Sequence, residues 1–237
     1  MTLEVFADGD SVAQQAASLI AADARVAIGA RGLFTLAVSG GHTPWIMLRL
    51  LANENLPWEG LHLYQVDERV APPGDPDRNL THLRESLLQF APIPPENVHA
   101  MPVESSDLER AAAQYDLTLQ EIAGLPPVLD LVHLGLGPDG HTASLVPGDP
   151  VLVITNADVA LTGVYQGRRR MTLTYPVLNR ARLILWVVTG GEKLEMLRRL
   201  REGDKSIPAG RVSPGQALVL ADRAAAGERT IGVKQAG

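Results

Sequence analysis

The stretch 128–148 reads VLDLVHLGLGPDGHTASLVPG, an apolar run that leads directly into a glycine-rich loop. The run over 128–134 is typical of a strand that is buried on both faces of a sheet. The six residues after it, 135–140, fit the pattern G-x-G-x-x-G, which often opens a dinucleotide-binding unit. The residues after this loop therefore decide which kind of α/β fold the chain adopts.

A dinucleotide-binding turn needs a long helix after its last glycine, because the N-terminus of that helix holds the pyrophosphate. Here Pro147 and Pro150 come too soon after Gly140 for more than a short helical turn. The sequence therefore predicts that the loop does not bind NAD. The same glycines are better interpreted as framing Asp139 and His141 at the end of a strand.

Apolar runs that resemble buried strands alternate with helical patterns along the chain. Helical periodicity covers 11–28, 44–54 and 192–202, and Ser106 begins a capping box with Glu109 before a further helix. This alternation predicts an α/β fold with a mostly parallel central sheet flanked by helices on both faces. We expect it to be Rossmann-like without dinucleotide binding, and to form a single domain over 1–237. Besides 128–134, the predicted strands are 33–38, 61–66, 183–189, 217–220 and an edge strand at 3–6.

The composition narrows the possible functions. The 237 residues include no cysteine, which excludes disulfides, zinc–thiolate sites and a cysteine nucleophile, and fits a reducing compartment. The formal net charge of -6 argues against a nucleic-acid partner. Neither a signal peptide nor an apolar run long enough to span a bilayer is visible, so we expect a cytoplasmic protein without a membrane partner.

The loop after the first long strand reads Ser39-Gly40-Gly41-His42-Thr43-Pro44 and opens a helix. We expect Thr43 to cap that helix and Pro44 to occupy its first position. Paired glycines let the backbone approach a ligand closely, and free N–H groups at a helix start favour an anion such as phosphate. An ordinary strand–turn–helix joint is the alternative. A serine-hydrolase elbow fits poorly, because Ala37 replaces the first glycine of G-x-S-x-G.

Two other loops carry polar side chains where predicted strands end, the edge at which parallel α/β sheets bind their ligands. Asp67 and Arg69 end the second long strand, either as a solvated strand end or as charges presented to a polar substrate. Histidine as a residue type suits proton transfer to and from water, which makes His141 a candidate base, and Asp139 is placed to orient its ring. The alternative is a capping aspartate beside a surface histidine.

Cations stand next to two further predicted elements. Arg168, Arg169 and Arg170 precede a strand pattern and form either a solvated basic turn or a phosphate clamp. Lys193 lies in the first turn of a helix, where the helix dipole disfavours a cation unless an anion also binds there. A metal site is not indicated, because H-E-x-x-H is absent.

Taken together, these residues resemble the glucosamine-6-phosphate isomerase/6-phosphogluconolactonase superfamily, from about residue 7 to residue 222. The run at 134–148 is the most specific part of the resemblance. The other segments are modest alone but occur in the same order and spacing: 39–44 (SGGHTP), 66–70 (VDERV), Asn79, 170–182 (RMTLTYPVLNRAR) and 188–193 (VTGGEK).

The resemblance implies an enzyme of the oxidative pentose phosphate pathway that hydrolyses 6-phospho-D-glucono-1,5-lactone to 6-phosphogluconate without a cofactor. Its partner would be this sugar-phosphate lactone, and the protein would be a monomer or a homodimer. The resemblance makes His141 the general base that activates water, Asp139 the residue that orients it, and Arg69 the stabiliser of developing negative charge. Asp67 and Asn79 would line the sugar site, and the phosphate candidates are Ser39, Gly40, Gly41, Thr43, Arg170 and Lys193.

The chain also departs from the family pattern. The residues 165–167 (YQG) stand where many relatives carry a Lys-Pro-Pro-like segment, and Arg78 stands where the family often has Ser. An amino-sugar-phosphate deaminase of the same superfamily is one alternative, although the glutamate that such relatives carry near His141 is missing. A non-catalytic sugar-phosphate-binding regulator is another, although the chain has no spare residues for a DNA-binding module.

Overall fold

The computed structural model describes residues 1–228. Ten strands and seven α-helices follow one another along them. The strands are β1 (Thr2–Phe6), β2 (Phe34–Val38), β3 (Leu61–Gln65), β4 (Asp67–Arg69), β5 (Val98–His99), β6 (Leu131–Leu134), β7 (Val159–Leu161), β8 (Arg170–Leu173), β9 (Leu183–Val188) and β10 (Ala217–Asp222). The helices are α1 (Gly9–Arg31), α2 (His42–Leu51), α3 (Asn79–Leu83), α4 (Leu108–Ala123), α5 (Tyr175–Arg180), α6 (Leu194–Arg201) and α7 (Arg223–Ala226).

A seven-stranded sheet in the order β1-β10-β9-β6-β2-β3-β5 forms the centre of the molecule. Every neighbouring pair in it is parallel. All six predicted strands are present with small shifts at their ends. The strand predicted at 3–6 is β1, and it lies at an edge of the sheet as expected. The prediction of a mostly parallel central sheet is confirmed.

Both faces of the central sheet are covered, because alternate residues of its strands point to opposite sides. Leu36 and Leu63 pack in a core with α1, α2 and α3. Ala37 and Tyr64, the next residues of the same strands, pack in a second core with α4, α5 and α6. A separate three-stranded antiparallel sheet, in the order β4-β8-β7, contributes its apolar side chains to this second core.

The strand order reverses between β2 and β6. From β2 the chain runs outward through β3 to β5, and then returns to β6 on the opposite side of β2. Ser39, just after β2, is tied to β6 by two hydrogen bonds. Its backbone N–H donates to His133 Nδ1 at 3.2 Å, and its hydroxyl donates to the His133 carbonyl at 3.0 Å. Such a reversal opens a crevice at the carboxyl ends of the strands.

The loop after β6 has no helix that could hold a pyrophosphate. Turns and a single β-bridge occupy 141–149, and the next helical segment is the short 3₁₀-helix Pro150–Val153. The expectation that Pro147 and Pro150 leave room for no more than a short helical turn is confirmed. Among residues 1–228, none of the helices has both the length and the apolar character that crossing a bilayer requires.

Three local predictions were wrong. The segment Asp67–Arg69 does not end β3; it forms β4, which pairs with β8 in the small antiparallel sheet. Helix α2 begins at His42, with Gly41 as its N-cap, so Thr43 lies inside its first turn and its hydroxyl contacts Thr189 instead. Helix α4 begins at Leu108, so its side-chain cap is Asp107, which accepts from the Arg110 N–H at 2.9 Å, and not Ser106.

His133, which accepts the hydrogen bonds that join β2 to β6, should make the stability of the protein depend on pH. His133 is fully buried, and burial lowers the pKa of its imidazole to about 3. The unfolded chain takes up this proton near pH 6.5 while the folded chain does not, so falling pH favours unfolding. We expect this residue alone to cost about 2 kcal/mol of unfolding free energy between pH 7 and pH 5.

The variant His133→Asn keeps an acceptor for the Ser39 N–H and removes the proton uptake. Denaturant unfolding at the two pH values should therefore show a smaller loss of stability on acidification in H133N than in the wild type. Equal losses in the two proteins would contradict this account.

Candidate active site

A cleft of about 350 Å³ opens where β2, β6 and β9 end. The glycine loop after β2, the loop after β6 and the Thr189–Lys193 segment after β9 form three of its walls. Side chains of β4 and β8 close the fourth. Every predicted site residue except Asp139 lines this cleft: Ser39, Gly40, Gly41, Thr43, Asp67, Arg69, Asn79, His141, Arg170 and Lys193.

His141 and Asp139 form a hydrogen-bonded pair at the cleft. The Nδ1 atom of His141 lies 2.5 Å from Asp139 Oδ1, and the backbone N–H of His141 donates to the same oxygen at 3.2 Å. Gly137 makes room for the ring, since a Cβ there would lie 2.1 Å from His141 Nδ1. Because Nδ1 is engaged, Nε2 is the ring nitrogen that remains for a ligand.

Asp139 is held as a carboxylate. Partial burial acts to raise its pKa, but the His141 ring and the hydrogen bonds from His141 and Tyr165 outweigh this and lower the pKa below its usual value. A carboxylate on Nδ1 fixes the proton on that nitrogen and leaves the Nε2 lone pair free to accept one. The arrangement suits a neutral imidazole that acts as a base toward the cleft.

Two arginines stand side by side at the cleft. Arg69 and Arg170 are direct partners in the antiparallel ladder of β4 and β8. Arg69 donates through Nη1 to Asn79 Oδ1, and Arg170 donates through Nη2 to Gln166 Oε1 at 3.1 Å. Within residues 1–228, neither guanidinium forms an ion pair with a carboxylate. Burial and the charge of Arg69 lower the pKa of Arg170, and the negative charges of Asp67 and Asp77 only partly offset this.

The other two arginines of the 168–170 run have partners elsewhere. Arg168 forms ion pairs of 2.9 Å with both Asp75 and Asp77, and Arg169 pairs with Glu109 at 3.3 Å. Arg170 is therefore the member of the run that faces the cleft. The sequence alone left this choice open.

The glycine loop presents free donors next to these cations. Within the described part of the chain, the backbone N–H groups of Gly40, Gly41 and His42 donate no hydrogen bond. They stand at the start of the ten-residue helix α2, where the helix dipole favours an anion. A Cβ on Gly40 would lie 2.1 Å from Asn79 Oδ1, so only glycine fits there. The hydroxyl of Ser39 is already committed to β6, which argues against a serine nucleophile.

Asp67 is held from both sides. Its Oδ2 accepts from the Ser144 hydroxyl at 2.5 Å, and its Oδ1 accepts from Asn79 Nδ2 at 3.2 Å. Thr43 and Thr189 join the loops after β2 and β9 through a 2.7 Å hydroxyl contact. Lys193 lies in a 3₁₀-turn before α6, and its Nζ is 4.0 Å from the carboxylate of Glu192.

The buried Glu68 fixes the backbone at Arg69 and Asn79, which line the cleft, a role that the sequence did not indicate. Its fully buried carboxylate accepts hydrogen bonds from the backbone N–H groups of Arg69, Asn79 and Leu80, each at 2.8 Å. It also pairs with the buried Arg78 at 3.1 Å. Arg78, the departure noted in the sequence, is thus the counter-ion of a carboxylate that fixes both Arg69 and Asn79.

Tyr165 is a second site residue that the sequence missed. Its hydroxyl donates to Asp139 Oδ2 at 3.1 Å, and its ring meets the His141 ring edge to face with centroids 5.6 Å apart. No partner for an isolated tyrosine in a loop could be identified from the sequence.

Among residues 1–228, no group of three or more His, Asp or Glu side chains is placed to hold a metal ion.

Comparison with known proteins assigns the chain to a family. Residues 7–221 match the family model described as "Glucosamine-6-phosphate isomerases/6-phosphogluconolactonase". The chain belongs to this family. It is 35% identical over 238 residues to the 6-phosphogluconolactonase of Nostoc sp., covering 97% of this chain and 99% of that protein. It is 39% identical over 207 residues to the 6-phosphogluconolactonase of Synechocystis sp., covering 84% of this chain and 86% of that protein.

Solved structures of the family share the fold. The 6-phosphogluconolactonase of Thermotoga maritima superposes with a TM-score of 0.83 at 26% identity, covering 93% of this chain and 98% of that one. A monomeric glucosamine-6-phosphate deaminase superposes with a TM-score of 0.81 at 21% identity, covering 97% and 100%. The second likeness shows the fold alone, so the same architecture carries both kinds of enzyme.

The buried Glu68–Arg78 pair predicts a large loss of stability when it is broken. Glu68→Gln leaves Arg78 without its buried counter-ion and turns an amide NH₂ toward backbone donors. We expect a loss of about 3–5 kcal/mol in the free energy of unfolding. Denaturant titration followed by circular dichroism measures it.

Glu104 supplies a matched control, because it pairs with the same Arg78 at 2.8 Å but is 48% exposed. Glu104→Gln should cost less than about 1 kcal/mol. Equal losses in E68Q and E104Q would show that burial of the pair is not what matters.

Proposed function

We propose that this member of the family hydrolyses 6-phospho-D-glucono-1,5-lactone to 6-phospho-D-gluconate. The observation that carries the proposal is one cleft in which the His141–Asp139 pair faces two unpaired guanidinium groups and the free N–H groups of a helix start. The names of the relatives from Nostoc and Synechocystis support it. The reaction would be a step of the oxidative pentose phosphate pathway.

His141 would act as the general base. Its Nε2 takes a proton from water as the water oxygen attacks the lactone carbonyl carbon, and Asp139 supports the imidazolium that forms. The carbonyl oxygen then becomes the oxyanion of a tetrahedral intermediate. When this collapses, the bond from carbon to the ring oxygen breaks, and the imidazolium returns its proton to that oxygen. The single product is the open-chain acid, 6-phosphogluconate, whose new carboxylic acid ionises in water.

Arg69 would stabilise the oxyanion. It stands on the cleft wall with its guanidinium oriented by Asn79, and a preorganised cation at a developing charge is among the strongest catalytic devices. Asn79 and Asp67 would line the sugar, because both are buried and hydrogen-bonded to one another. A lactone is already an activated ester, so one base and one anion stabiliser suffice for its hydrolysis.

The phosphate would bind where Arg170, Lys193 and the glycine loop line the cleft. Arg170 and Lys193 supply positive charge there, and the loop of Gly40, Gly41 and Thr43 supplies N–H and hydroxyl donors. Arginine matches the geometry of a phosphate with two parallel donors. Holding the phosphate fixes the carbonyl against the water, which converts binding energy into rate.

An amino-sugar-phosphate deaminase is the alternative within the family. Besides the Asp139 carboxylate behind His141, the carboxylates at the cleft are Asp67 and Glu192. Both Asp67 oxygens accept hydrogen bonds from neighbours, and the segment 142–148 after His141 contains no glutamate. These features give the deaminase less support than the lactonase.

Replacement of the base should remove most of the activity. We expect His141→Asn to lower kcat by about 10²- to 10⁴-fold, the range typical of a lost general base. The assay is hydrolysis of freshly generated 6-phosphogluconolactone, corrected for spontaneous hydrolysis. His62→Asn is the control, since His62 lies on β3 and does not line the cleft.

Full activity in H141N would remove His141 from the mechanism. A wild type that does not hydrolyse the lactone but releases ammonia from glucosamine 6-phosphate would favour the deaminase.

The phosphate assignment predicts a selective effect of one arginine. Arg170→Ala should raise KM for 6-phosphogluconolactone by about 10- to 100-fold, because a charged hydrogen bond contributes about 1.5–3 kcal/mol. KM for unphosphorylated gluconolactone should change far less. Arg169→Ala is the control, because this neighbouring arginine pairs with Glu109 on the surface. Equal effects of R170A on the two lactones would overturn the assignment.

A further inference from the structure

The hairpin that joins β7 to β8 reaches to the cleft. Its tip is a two-residue turn in which Gln166 and Gly167 have φ of 50° and 80°. Tyr165 and Arg168 flank the turn and exchange backbone hydrogen bonds of 3.0 and 3.2 Å. This is the geometry of a type I′ hairpin, whose twist matches the strands on either side. The backbone of Tyr165 is therefore fixed relative to β8 and to Arg170.

The hairpin tip is also fixed to the opposite loop. Arg168 bridges to Asp75 and Asp77 at 2.9 Å each, and these two aspartates belong to the loop between β4 and α3. Tyr165 therefore stands on a turn that is anchored both along its own strand and across the site. Its side chain has two separate contacts with the candidate machinery.

The hydroxyl of Tyr165 acts on the carboxylate behind the base. Asp139 divides its oxygens, with Oδ1 on His141 Nδ1 at 2.5 Å and Oδ2 on the Tyr165 hydroxyl at 3.1 Å. A carboxylate held at both oxygens does not rotate freely. Its plane, and with it the direction in which His141 presents Nε2, is set by these two contacts together.

The ring of Tyr165 acts on the arginine. The guanidinium carbon of Arg170 lies 4.9 Å from the ring centroid, within the range of a cation–π contact. Beyond the ring, Gln166 accepts a hydrogen bond from Arg170 Nη2 at 3.1 Å. The Nε atom of Arg170 is buried and has no hydrogen-bond partner among the described residues. The turn thus supplies two contacts that hold this guanidinium.

We propose that Tyr165 is a positioning residue for both halves of the site, its hydroxyl aligning the His141–Asp139 pair and its ring aligning Arg170. The inference rests on the proposed lactonase function. The hydroxyl contact should affect kcat, because the base acts in the chemical step. The ring contact should affect KM, because Arg170 binds the phosphate. A tyrosine that merely stabilised the hairpin would not separate them.

Two substitutions separate the contacts. Tyr165→Phe removes the hydroxyl and keeps the ring, so we expect kcat to fall by about 10- to 100-fold, as for loss of a hydrogen bond to a charged group, with KM within twofold. Tyr165→Leu removes both, so we expect the same fall in kcat together with a rise in KM for 6-phosphogluconolactone of about 3- to 10-fold, the scale of a partly exposed cation–π contact.

Tyr175→Phe is the matched control, because the Tyr175 hydroxyl also donates a hydrogen bond, to the Pro208 carbonyl at 2.8 Å, and does not line the cleft. It should keep both constants within twofold of the wild type. Thermal unfolding of all variants identifies any that fail to fold. Calorimetric titration with 6-phosphogluconate, the product, measures the ring contact without turnover: Y165L should weaken binding and Y165F should not.

Asp139→Asn tests the route of the hydroxyl effect. If the hydroxyl acts through Asp139, adding Y165F to D139N should lower kcat by less than twofold further. A loss in that background as large as in the wild type would overturn the proposal, and so would wild-type kcat in Y165F. A wild type without lactonase activity would instead overturn the proposed function.

Discussion

The parallel pairing of β2 with β6 is the constraint on which the candidate site depends. These strands are distant in the chain, yet they lie side by side where the strand order reverses. The loops that leave them must therefore diverge, and the cleft opens between the loops. Two hydrogen bonds from Ser39, which lines the cleft, join β2 to β6. An imidazole nitrogen and the carbonyl of His133 on β6 accept them.

Cations gather at the cleft although the chain as a whole is acidic. The formal net charge is -6, yet Arg69, Arg170 and Lys193 converge on the cleft. Two of the carboxylates nearby have partners: Asp67 accepts hydrogen bonds from Ser144 and Asn79, and Glu68 pairs with Arg78 and accepts from backbone donors. A local cluster of cations, and not the overall field, would therefore attract an anion.

The small antiparallel sheet positions the cations of the cleft, as the central sheet positions its loops. It places Arg69 opposite Arg170 and carries the hairpin whose tip contacts both Asp139 and Arg170. Two like charges that face one another across a ladder repel each other. The energetic cost of that arrangement is what an anionic substrate would relieve.

The sequence by itself determined the α/β class, the six long or edge strands, the absence of a dinucleotide helix and the two glycine-rich loops, after β2 and β6, that meet at the cleft. These depend on apolar runs, glycines and prolines, whose effects act within a few residues. Only the tertiary structure decided which arginine of 168–170 faces the cleft, how Glu68 points inward to Arg78, and that Tyr165 reaches Asp139. Those choices depend on side chains from distant segments that meet in space, and one strand's register or one ion pair, such as Arg168 with Asp75, settles them.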